Sequence, residues 1–139
     1  MAPIGRVSPA LQPLWERMTA HQMVCHLSDS FLVPMGAKAV SMASSPLQRT
    51  VVKFLALYVP VKWPAGVKTR PEVEQGVGGT APVEFECDRW NLIVVVERFA
   101  AAKRDFAWAP HPIFGKLSER EWLRWGYLHA DHHLRQFGL

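Results

Sequence analysis

Apolar positions in the segment 20–34 recur at helical spacing: Ala20, Met23, Leu27, Phe31 and Pro34 fall on one stripe. A stripe of that period marks a helix packed on one side. Thr19 followed by Gln22 has the spacing of a capping box, so a helix is predicted over Ala20–Leu32, with Pro34 and Gly36 ending it. Ser45 before Pro46 is a cap followed by a first-turn proline, which predicts a second helix from Pro46 to about Tyr58. A third is predicted over about Val83–Lys103, where Phe85, Leu92, Val95, Val96 and Phe99 share a face. The run IVVV inside it is β-branched, as strands often are, but the pattern extends too far on both sides for a strand. Ser118, with Glu121 at the capping-box position, opens a fourth helix that runs to about Phe137 and stops at Gly138.

The intervening segments carry little periodicity. Residues 1–17 hold three prolines and predict an extended lead-in, with one short helical turn near Leu11–Arg17. Residues 36–45 and 104–117 are loops. The stretch 60–83, PVKWPAGVKTRPEVEQGVGGTAPV, has too much proline and glycine for a long regular element. A loop of that length is either a functional cover or an ordered surface connection. The fold class predicted is all-α: a four-helix bundle in one domain, residues 1–139, with the long loop between the second and third helices.

Bulk composition changes this picture only slightly. The chain has 139 residues, 49% hydrophobic and 20% charged, which fits one folded domain and excludes disorder. Six tryptophans point to an aromatic core or pocket. The formal charge is +4, but Lys and Arg are scattered from Arg6 to Arg135 without a dense run, so no nucleic-acid partner is expected. Cys25 and Cys87 form no CxxC pair and no disulfide framework, which suits a reducing compartment. The N-terminal stretch does not read as a signal peptide. The apolar run from Val51 to Val61 is broken by Lys53 and Pro60, so no membrane partner is expected either. These features predict a soluble, cytoplasmic protein.

The candidate chemistry lies in the ending YLHADHHLRQFGL, which holds three of the six histidines. On a wheel of about 100° per residue, Trp122, Leu123, Gly126, Ala130 and Phe137 define an apolar side, and His129 and His133 join it. Residues i and i+4 stack one turn apart, so the two imidazoles can share a metal ion. The alternative is that both rings hydrogen-bond neighbouring helices without a metal. A third ligand must come from elsewhere, and His26, on the flank of the first stripe, is the better inward candidate. His21 and Cys25, also i and i+4 but on the opposite face, are the rival chelating pair; the plainer reading is an exposed histidine above a partly buried cysteine. Three histidine ligands leave coordination positions open, as in catalytic sites, where a metal activates water or a thiol or polarises a carbonyl.

The segments MTAHQMVCHLSDSF, HPIFGKLSEREW and HADHHLRQFG resemble the DinB/YfiT-like superfamily of metalloenzymes, in an uncharacterised DinB-like branch, over roughly residues 14–139. The resemblance implies an up-down-down-up four-helix bundle and a three-histidine metal site, which maps onto His26, His129 and His133. It further implies a divalent metal, zinc or nickel, a low-molecular-weight thiol as co-substrate, and in many members a dimer. This chain departs from the pattern before Thr19, where a short proline-rich segment stands in place of a first long helix.

Several further polar and aromatic residues carry more than one reading. Asp29 is either a solvated carboxylate or a group that orients His26 or supplies a carboxylate to the metal. Gln136 is either surface polar or a hydrogen-bond partner of a ligand. His132 is either exposed or a support to the ligand rings, and Arg135 reads as solvated; His111 is a turn residue sooner than a site residue, in a loop that could border the pocket, and Trp122 a core ring able to line the site. The function expected is metal-dependent activation of a thiol or water against a small electrophile, transferase-like or hydrolase-like. The alternative is a non-catalytic helical binder of small molecules, or a stress-associated dimer with a structural or vestigial histidine cluster.

Overall fold

The computed structural model describes residues 2–139. The chain is all-helical: α1 (Ala2–Gly5), α2 (Ala20–Leu32), α3 (Lys53–Tyr58), α4 (Phe85–Ala100) and α5 (Glu119–Gln136), with no strand among the described residues beyond an isolated bridge between His111 and Gly115. A π-helical stretch, Gln48–Val52, runs directly into α3, and a single 3-10 turn, Pro71–Val73, interrupts the connection to α4. Among the described residues no helix is long and apolar enough to cross a membrane.

Local chemistry fixes the ends of the two longest-read helices. At α2 the Thr19 side chain accepts the Gln22 N–H, and Gln22 Oε1 accepts the Thr19 N–H at 2.9 Å. At α5 Ser118 and Glu121 make the same reciprocal pair. Each box satisfies two N–H groups that the first turn leaves without helical partners. The third predicted helix is shorter than its pattern suggests, because the Glu84 carboxylate accepts from the Glu86 and Cys87 N–H groups and starts the helix at Phe85, while Ala101 turns extended. The short turn expected near Leu11–Arg17 is absent; the lead-in instead begins with α1 and carries on without regular structure. Before α3, Ser45 Oγ caps the Gln48 N–H, and the Thr50 hydroxyl donates back to the Pro46 carbonyl at 2.8 Å. Such back-bonding bends a helix, and here the Lys53 N–H reaches Gln48, five residues back.

α2 packs along α4 and also touches α5, and α3 lies against α5. The core is built from Met23, Leu27 and Phe31 of α2, Leu92 and Phe99 of α4, and Trp122 and Trp125 of α5. Gly126 is what lets α5 approach: a Cβ there would stand 2.7 Å from Phe99 Cε1 and 2.9 Å from Phe31 Cε1. The Phe31 and Phe99 rings meet edge to face at 4.8 Å in the space it leaves, a favoured aromatic geometry. The close approach sets His26 of α2 opposite His129 and His133, one and two turns after Gly126 on α5.

Candidate metal centre

The three histidines singled out in the sequence come together. One ligand nitrogen from each of His26, His129 and His133 lies within 4.8 Å of the others. Ring centroids are 5.5 Å apart for His26 and His129, 4.7 Å for His26 and His133, and 4.8 Å for His129 and His133.

Their proton positions follow from their partners. His26 Nδ1 stands 2.8 Å from the Val73 carbonyl, which can only accept, so Nδ1 carries the proton and the Nε2 lone pair is free. The Ser30 hydroxyl is 3.5 Å from that Nε2. His133 Nδ1 donates to Gln136 Oε1 at 3.2 Å. The Gln136 amide cannot turn over, because its Nε2 donates to the Trp15 carbonyl at 2.9 Å. His133 Nε2 is thereby left as the free nitrogen. His129 stacks on Trp125, centroids 4.9 Å apart and planes 20° from parallel, and its Nε2 is enclosed without a hydrogen-bond partner. A buried polar nitrogen without a partner costs free energy, and a cation between the three rings would satisfy it.

Burial holds all three rings neutral. It pushes His133 down to about 3, with His26 adding to the effect. It lowers His129 well below the ordinary value, helped by His133 and His26, and lowers His26 against the pull of the Val73 carbonyl. Neutral imidazole is the form that binds metal, and backbone or side-chain acceptors on the distal nitrogens are what metal-ligating histidines usually have. The donor set therefore fits a borderline divalent cation such as zinc, whose bonds to histidine nitrogen are about 2.0–2.1 Å.

The cluster opens on a cavity of about 790 Å³. Loop 60–83 forms one wall through Trp63, the segment 66–70 and Val73, and the tryptophans Trp122 and Trp125 form another. Four further polar residues are buried. Asp29 is buried, and its carboxylate accepts the Thr80 N–H and hydroxyl, both at 2.7 Å, with Lys38 Nζ at 3.1 Å. It ties down the long loop instead of standing in water or beside a metal. Gln136 is fully buried and orients His133. His132 is buried against Trp15 and Trp63, and its Nδ1 has no partner. His111 is buried and lines the cavity. Arg135 pairs with Asp131 one turn back on α5.

The rival pair is also brought together, with a third group. His21, Cys25 and Asp88 offer ligand atoms within 4.8 Å of one another. These groups are already mutually satisfied. His21 Nε2 lies 2.7 Å from Asp88 Oδ2, which also accepts the Val83 N–H at 3.0 Å. Burial, with Asp88 beside it, pushes the Cys25 thiol up to about 12, so it stays protonated. The trio is a polar tie between α2 and the start of α4. The face of α2 opposite the apolar stripe is thus covered by α4, and Cys25 is buried outright.

Sequence reasoning missed Val73, Trp15 and Glu16. Two act through backbone carbonyls, which no side-chain pattern reveals. Glu16 is the one non-glycine residue with positive φ among those described, at 62°. It lines the cavity and its Oε1 accepts the Gly66 N–H at 2.6 Å.

No curated protein and no solved structure matches the chain. A family model does match, over residues 21–138, and its description reads "Protein of unknown function (DUF1569)". The match takes in both capped helices, the long loop and all three converging histidines, and on that coverage the chain belongs to the DUF1569 family.

Proposed function

We propose that the protein is a divalent-metal-dependent enzyme of DinB-like type, an up-down-down-up four-helix bundle in which His26, His129 and His133 hold the metal. One observation carries this reading: three neutral imidazoles converge, two have their Nδ1 protons fixed by Val73 and Gln136, and the third has an enclosed Nε2 with no partner. When bound, a divalent ion such as zinc or nickel lowers the pKa of a thiol or a water molecule and makes it a nucleophile. The chain's own residues do the rest. Val73 and Gln136 hold two ligand rings in register. Trp63 and Trp125 exclude solvent from the ligand side of the cavity. A volume of about 790 Å³ exceeds what one water and a small electrophile need, and lies in the upper range of ligand pockets. That favours the transferase-like version, in which an extended low-molecular-weight thiol shares the cavity with a small-molecule electrophile. Unpaired Cys25 and Cys87 suit a reducing, cytoplasmic setting.

The test is metal content by mass spectrometry on untagged wild type and His129→Ala. Near-stoichiometric metal in the wild type that is lost in the variant supports the reading. A wild type that stays empty after exposure to zinc and nickel refutes it.

One observation favours part of the second reading. Leu47, Val51, Phe54, Leu55 and Tyr58 are all at least half exposed and follow a helical spacing along one face. A face of that kind supports self-association into a homodimer, with or without catalysis. Sedimentation equilibrium on wild type and Phe54→Glu separates the two states: a monomeric wild type rules the dimer out.

A further inference from the structure

His111 lies in the connection between α4 and α5, where its backbone exchanges two hydrogen bonds with Gly115, at 2.8 and 2.9 Å. Its ring stacks on Phe114, centroids 4.4 Å apart, and meets Trp122 at 5.5 Å and Trp125 at 5.6 Å. Nδ1 lies 3.1 Å from the Ile113 nitrogen and 3.0 Å from the Phe114 nitrogen. Both are backbone N–H groups and can only donate. Nδ1 is therefore the unprotonated nitrogen, and the ring's proton sits on Nε2.

That Nε2–H has no protein partner among the described residues, although the ring as a whole is buried. It is also not one of the enclosed, unpartnered polar atoms, which are Trp15 Nε1, Glu72 Oε2, Trp122 Nε1, His129 Nε2 and His132 Nδ1. Space therefore reaches it, and the space beside His111 is the cavity of the three-histidine cluster. The turn thus fixes one tautomer and leaves one donor for a ligand. Burial pushes His111 down to about 3, so the ring remains a neutral donor at ordinary pH. Charge in the cavity favours an acceptor of negative sign. Arg17, Lys68 and Arg70 line it against Glu16 and Glu74, an excess of one positive charge; Arg70 is held by the Ser41 carbonyl and hydroxyl, and one Glu16 oxygen by the Gly66 N–H.

We infer that His111 is a substrate-binding residue whose Nε2–H donates to a carboxylate or carbonyl oxygen of the small molecule in the cavity. The inference rests on the reading of the cavity as a reaction site, and it narrows the substrate to one bearing such an oxygen.

Acetate is the probe, titrated into protein labelled with ¹⁵N at histidine and tryptophan. Long-range ¹H–¹⁵N spectra should show His111 with pyrrole-type Nε2 and pyridine-type Nδ1. Acetate should shift the His111 Nε2 resonance and the indole signals of Trp122 and Trp125. In His111→Asn the amide oxygen can still accept the two turn N–H groups, while the shorter amide NH2 stops short of the position of the ring Nε2, and the acetate response of the indoles should weaken at least tenfold. An Nδ1-protonated His111, or an equal acetate response in wild type and variant, overturns the inference. Zinc content of the same samples reads the metal separately. Zinc retained with no wild-type acetate response sinks the His111 role alone. An acetate response without zinc uptake keeps it and sinks the metal reading.

Discussion

Replacing Gln136 by leucine tests whether His133, one of the three proposed metal ligands, is held in place or merely packed. Gln136 is fully buried, its Oε1 accepts from His133 Nδ1 at 3.2 Å, and its Nε2 donates to the Trp15 carbonyl at 2.9 Å. Leucine fills a similar volume but offers neither group. It strands a ring N–H and a carbonyl, each about 1–3 kcal/mol when buried without a partner. Set against the favourable burial of the new apolar carbons, roughly 2–4 kcal/mol of stability is lost. The backbone bond from the Leu14 N–H to the Gln136 carbonyl, at 2.7 Å, is untouched, so the lead-in stays attached.

A second effect is specific to the ring. Without the acceptor, His133 is free to turn or change tautomer, and loss of such a partner costs about 10–100-fold in metal affinity, which is about 1.4–2.7 kcal/mol. Urea unfolding of the metal-free protein reads the first effect, and zinc competition against a chelating dye reads the second. A variant that loses stability yet binds zinc within twofold of wild type would refute the orienting role of Gln136 and leave it a packing residue.

Four further outcomes follow from the same geometry. Below pH 6.5 the unfolded chain protonates at His111 and His133, whereas the folded rings, pushed down to about 3, do not; metal-free stability therefore falls with pH across that window, by up to about 1.4 kcal/mol per unit per ring, readable as a falling urea midpoint from pH 7 to 4.5. Asp29→Ala leaves Thr80 and Lys38 without their buried partner, costs about 2–4 kcal/mol, and opens loop 60–83 to limited proteolysis, mapped by mass spectrometry. Gly126→Ala gains about 1 kcal/mol of helix propensity but drives a methyl into Phe31 and Phe99 at about 1–3 kcal/mol, so the melting temperature drops by a few degrees. Iodoacetamide should label exposed Cys87 first and reach buried Cys25 only on unfolding, counted as one adduct and then two by intact mass.

The parts of the site that were legible in the sequence are those encoded within one helical turn or one stripe. The boxes Thr19–Gln22 and Ser118–Glu121 announce themselves because cap and partner are three residues apart. His129 and His133 are legible because i, i+4 spacing and an apolar stripe fix a shared face, and His26 because it flanks a stripe of its own. His111 sits in a loop with no period to read, and Asp29, His132 and Gln136 are harder for one physical reason. A wheel ranks positions by their own helix and cannot know what covers the polar side. Thr80 covers Asp29 from 51 residues away, and Trp15 covers Gln136 from 121 residues away. Both partners come from segments without periodicity, so no pattern signals that they fold back. The end of α4 was overread for a related reason: apolar spacing persists past Ala100, but the chain turns extended there.

Those two irregular segments meet at Glu16, and the backbone there shows how they complete the site. A non-glycine residue at φ 62° costs roughly 1–2 kcal/mol, so the surrounding contacts must offset it. The turn it makes sends the Trp15 carbonyl to Gln136 and the Glu16 carboxylate to the Gly66 N–H, with the other Glu16 oxygen 3.5 Å from Gln136 Nε2. One strained residue thus joins the lead-in, loop 60–83 and the last turn of α5. An extended conformation at Glu16 would relieve the strain but carry at least one of those groups away, leaving the Gln136 amide free to flip. The proline-rich lead-in forms no long helix, and it does not need one: through backbone carbonyl and carboxylate it supplies the contacts that fix Gln136, and through Gln136 the ring of His133.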